Sequence, residues 1–151
     1  MILRLALATS LLLSLTACHD NAPSSPSTPA VTSFARTWTG DLALQTTATR
    51  MTWTLSQSGT TVTGPVIVTL PSGIVLMNGA LTGTVASSTL TYTIAVAAGG
   101  IPSQPACSGQ LGGTVSQSSG TSPVTLSGSY AVASSTCATP FSSGSFTLAR
   151  Q

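Results

Sequence analysis

Very few side chains in this chain of 151 residues could do chemistry: Cys18, Cys107 and Cys137, His19, Asp20 and Asp41. The arginines are Arg4, Arg36, Arg50 and Arg150, and there is no lysine and no glutamate. General acid–base catalysis needs His, Glu, Asp or Lys held within hydrogen-bond reach of a substrate. Beyond residue 33 only Asp41 qualifies. Serines are abundant, yet no base stands in the sequence to activate one. The expectation is a protein that is not an enzyme, with no catalytic residues, no metal and no cofactor. His19 reads as a solvated linker residue.

The cysteine at position 18 has a different context. Residues 1–17 combine Arg4 with the apolar run "LALATSLLLSLTA". That run has the length of a signal-peptide core and falls short of the roughly 20 apolar residues of a membrane-spanning helix. Leu15 three places before Cys18 suits an ordinary secretory cleavage site poorly. Leu15-Thr16-Ala17-Cys18 resembles the lipobox of bacterial lipoproteins. The resemblance implies that the Cys18 thiol carries a diacylglyceryl group and that the leader is cut just before it. It also implies that the new amino terminus is acylated, by palmitate or a similar chain. Two or three acyl chains hold a protein firmly at a membrane, whereas one does so marginally. In that family an aspartate directly after the cysteine favours the inner membrane. His19 stands there instead, with Asp20 one place later, so the implied address is the outer membrane of the cell envelope, facing the periplasm or the surface.

Residues 18–33 continue as "CHDNAPSSPSTPAVTS", a Pro/Ser-rich tether with a reach of roughly 20 Å. Export to an oxidising compartment leaves Cys107 and Cys137 as an even pair, which predicts a disulfide. Metal ligation by them is then excluded. Charged residues make up 4 % of the chain, and about +1 of net charge remains once the leader is removed. No patch of cations exists to engage phosphates, so nucleic acid is not a partner.

The elements that must position the remaining residues alternate with period two from Phe34 onward. "RMTWTLSQ" puts Met51, Trp53 and Leu55 on one face, and "TLTYTIAV" does so with Leu90, Tyr92, Ile94 and Val96. Turn signals divide residues 34–151 into about eight strands near 37–45, 49–57, 60–69, 75–85, 89–96, 108–115, 123–132 and 142–149. The fold class is all-β: an antiparallel up-and-down meander. Edge strands usually carry charge or proline against association. With almost no charge available, closure into a small barrel is the consistent solution, and a β-sandwich is the alternative. Aromatics at 5 % are too few for the two girdles of a membrane-spanning barrel.

A short element recurs as "VTGPV", "LTGTV", "LGGTV", "LSGSY" and "SSGSF". Its glycines, Gly64, Gly83, Gly113 or its neighbour Gly112, Gly128 and Gly144, share the parity of the apolar positions. They imply tight coiling, or room for a large side chain across the sheet. Trp38 on the first strand and Arg150 closing the last are similar to the calycins, the lipocalin and avidin-like barrels, although Arg36 stands where lipocalins have glycine. That resemblance implies an interior pocket. Two functional classes follow. One is a non-catalytic envelope domain of structural or protein-interaction type, its barrel filled by side chains. The other is a binding module that holds a small apolar ligand against Trp38, Trp53, Tyr92, Tyr130 and Phe146. The glycines favour free volume; the two tryptophans favour filling.

Overall fold

The computed structural model describes residues 31–44, 47–120, 123–138 and 143–151. The proposed leader, Cys18, His19 and most of the tether lie outside the described residues. Nine strands form: β1 (Thr37–Leu44), β2 (Thr47–Thr54), β3 (Ser56–Ser58), β4 (Thr61–Thr69) and β5 (Val75–Ala86), then β6 (Thr89–Val96), β7 (Gly109–Gln117), β8 (Thr125–Ser135) and β9 (Gly144–Arg150). All pair antiparallel in one sheet, ordered β2-β1-β9-β8-β7-β6-β5-β4-β3, and a further β2–β4 pairing closes it. This is an up-and-down barrel, not a sandwich.

The ninth strand is the second half of a bent one. Trp53 faces Val66 and Ser56 faces Thr63, so β2 and β3 keep one register against β4, interrupted at Leu55. Strand 49–57 of the sequence reading is this bent arm. The hairpin turns through Gly59, whose φ of +57° suits glycine. Eight walls therefore surround the core. The seam is the β1–β9 pairing, where Trp38 stands opposite Arg150 and Thr39 opposite Ala149. Gln151 reinforces it, donating from its backbone N to Thr37 O at 3.1 Å.

Parity sorts the two faces. Met51, Trp53, Val66, Leu81, Leu90, Tyr92, Ile94, Leu111, Val115, Leu126, Phe146 and Leu148 all point inward and are buried. Outward, Thr61, Thr84, Thr91, Thr114, Ser129 and Ser145 stand in one register row across six strands, every one exposed. An apolar interior behind a hydroxyl exterior is the reverse of a barrel built to face lipid.

The glycines explain how so small a barrel closes. A Cβ on Gly64, Gly113 or Gly128 would run into the backbone carbonyl oxygen of Thr54, Ser129 or Thr114 on the neighbouring strand. On Gly83 it would meet Thr91 O at 2.6 Å. Their missing side chains let strongly coiled neighbours cross closely. Gly144 differs: a Cβ there would meet the Tyr130 hydroxyl at 2.9 Å, so it makes room for a ring. The free volume inferred from these glycines is absent at all five positions, being occupied by backbone or by Tyr130. Gly112, with nothing closer than 3.4 Å, is not the packed member of its pair.

Candidate functional site

The barrel has two unlike ends. At one lie the chain's first described residues, the β3–β4 hairpin and the β5–β6 turn. Phe34 is fully buried there and caps the interior beside Trp38. The Trp38 indole donates to Phe34 O at 2.9 Å. Gln57 stitches the cap in place: its Oε1 accepts from Phe34 N at 2.7 Å, and its Nε2 donates to Thr32 O and Gly59 O at 3.1 and 3.0 Å. Val62, Leu90, Leu126 and Leu148 are all inaccessible to solvent at this level. The end is sealed.

The opposite end carries the 97–108 connection between β6 and β7. Ile101, 5 % exposed, joins the core, and so does Cys107. Cys107 is bonded to Cys137, just beyond β8, with the Cα atoms 4.7 Å apart. That separation is ordinary for a disulfide. Met77, Tyr130 and Val132 pack against the core near this end but are only partly buried.

Between the ends sits an aromatic cluster. Trp53 is fully buried; Tyr92 and Phe146 stand edge-to-face with it, ring centroids 5.0 and 5.1 Å away. Tyr130 reaches Phe146 at 6.4 Å in a tilted arrangement. The structure thus brings four of the five sequence-derived aromatics together, while Trp38 belongs to the cap. The Tyr92 hydroxyl donates to Ser129 O at 2.9 Å. Burial, and secondarily the neighbouring Tyr130, pushes its pKa well above that of a free tyrosine. The Trp53 Nε1 has no hydrogen-bonding partner, the one such buried side-chain atom among the described residues.

Charge lies elsewhere. Asp41, the one carboxylate side chain among the described residues, pairs with Arg50 at 3.7 Å across β1 and β2, both well exposed. Thr69, Leu70 and Pro71 join this pair in lining an open external groove of about 460 Å³. Strands β3 to β8 bear no charged residue at all.

Two parts of this arrangement escaped sequence reasoning. Phe34 opens the folded part in the sequence reading, but it precedes the first strand and nothing there marks it as a cap. Ile101 sits in "AAGGIPSQPAC", where Gly and Pro announce only a turn. A single large apolar residue inside such a turn was the available signal. The chain matches no family model, no curated protein and no solved structure.

Proposed function

We propose that this protein is a lipid-anchored domain of the bacterial cell envelope, more precisely of the outer membrane, that works by presenting its exterior rather than by catalysis. The observation that carries this reading is the interior: Trp53, Tyr92 and Phe146 fill it, Phe34 caps one end, and Ile101 enters the core from the other. An eight-stranded barrel is near the size at which side chains alone complete the core. The hydroxyl face from β4 to β8, which carries no charged residue, is then a broad surface left for a partner in the envelope. "LTAC" supports the anchor. The tether would join the sealed end, so the disulfide-bearing end would point away from the membrane.

The test of the anchor is acylation in a bacterial host. Wild-type protein should incorporate labelled palmitate and partition with membranes, and Cys18→Ala should do neither. Unchanged labelling of the variant would refute the anchor.

A second reading, a calycin-like module that holds a small apolar ligand, has one observation in its favour. Register puts Trp38 opposite Arg150 at the sealed end, where calycins pair a tryptophan with a basic residue. Arg150 is exposed, however, and the interior already holds its own side chains.

A further inference from the structure

The 97–108 connection is built as a separate body. Gly99 N donates to Pro105 O, Gly100 N to Ala97 O, Gln104 N to Ile101 O, and Cys107 N to Gln104 O, all within 2.9 Å. These bonds stay inside the loop and keep its shape whether or not it is docked. Bonds that tie it outward include Asn78 N to Gly100 O at 2.7 Å and Ala138 N to Gln104 Oε1 at 3.1 Å. Both glycines belong to this shape: Gly99 has a φ of +82°, and a Cβ on Gly100 would meet Asn78 O at 2.7 Å. Across the loop, Ile101 is inserted into the core and Cys107 is bonded to Cys137.

We propose that residues 97–108 are a disulfide-locked lid on the Ile101-bearing end of the barrel. Reduction by a dithiol releases it and admits a small neutral apolar molecule into the space that Ile101 leaves. Most of the strand pairing lies outside the lid: β6 pairs with β7 from Thr89↔Ser116 to Val96↔Gly109, and β7 with β8 from Gly109↔Ser135, while at the rim Asn78 of β5 bonds Gly100. The walls therefore stay closed when the loop swings. Val96, Leu111, Met77 and Val132 lie on the inward face toward this end, so the uncovered lining is apolar. A charged ligand would find no counter-ion there.

The redox step balances with the dithiol as the named reductant. One thiolate attacks Sγ of Cys137, the less buried partner, and the Cys107–Cys137 bond breaks with Cys107 leaving as thiolate. The second thiol of the reductant then resolves the mixed disulfide. Two electrons and two protons pass to the cysteine pair, and the reductant ends as a disulfide.

The experiment uses the full chain and a photoreactive adamantane diazirine, with adducts mapped by peptide mass spectrometry. In the oxidised protein Val96 and Leu111, both buried, should be nearly unlabelled. After reduction with dithiothreitol, and in Cys107→Ser/Cys137→Ser without reductant, their labelling should rise at least fivefold while near-ultraviolet circular dichroism is retained. Equal labelling before and after confirmed reduction would overturn the lid. So would loss of the near-ultraviolet signal on reduction, which would make the disulfide a requirement for the fold. A disulfide that resists the dithiol in the folded protein would overturn the switch.

Discussion

Trp53 meets Phe146 edge-to-face, with ring centroids 5.1 Å apart and planes inclined at 60°. The two residues come from strands β2 and β9, which lie on either side of β1 in the sheet and are not paired with each other. The contact reaches past β1 on the inner face, and with Tyr92, 5.0 Å from Trp53 on β6, it helps to fill the centre of the barrel. Edge-to-face rings gain about 0.5–1.5 kcal/mol beyond simple burial.

Trp53→Ala should therefore cost about 3–5 kcal/mol, a large part of the stability of a domain this size. Guanidinium midpoints on wild type and variant will measure it. A loss below about 1 kcal/mol would mean that the ring stands in open space, as a ligand-lined cavity would require.

Closure depends on residues that carry no side chain. A Cβ on Gly40 would strike Thr147 O across the β1–β9 seam. Gly40→Val should open that seam, giving aggregation through the freed strand edges and loss of the cooperative unfolding transition. Gly112→Ala is the control, since a Cβ there makes ordinary contacts, and it should be tolerated within about 1 kcal/mol. Similar behaviour of the two variants in unfolding and sedimentation experiments would count against this account of the glycines.

The buried Tyr92 hydroxyl predicts an alkaline limit. Its pKa is raised in the folded state by burial first and by Tyr130 second, while an unfolded tyrosine ionises near about 10. The stability contributed by keeping Tyr92 protonated is complete below about pH 10 and falls as the pH rises beyond it. Tyr92→Phe should flatten that decline. It should also lower stability near neutrality by about 1–2 kcal/mol, because Ser129 O loses its donor. Unfolding curves between pH 8 and pH 12, on roughly half-unit steps chosen around the tyrosine range, will show whether the two proteins converge.

Much of the fold could be read from alternation. "RMTWTLSQ" and "TLTYTIAV" announce their inner faces because side chains on a strand point to opposite sides in turn. Near-absence of charge pointed to closure for a reason of surface chemistry, and the β1–β9 and β2–β4 pairings provide it. The break at Leu55 was not legible, because parity runs through it unchanged. The interior was the harder question. Glycines on the inner face read equally as space or as crowding, and only the position of the neighbouring carbonyls decides between them. Ile101 was hidden for a related reason: burial of a loop residue depends on where its loop folds back, which local sequence does not encode. Trp53, Tyr92, Tyr130 and Phe146 were recognisable as inward-facing, but their convergence is a property of the closed barrel.

The central claim is that the oxidised barrel is filled by its own side chains. Native mass spectrometry of the protein purified from its own host, with the Cys107–Cys137 bond intact, tests it most directly. The account predicts a mass that equals the polypeptide plus its covalent acyl groups. A stoichiometric additional mass that departs on denaturation would contradict it.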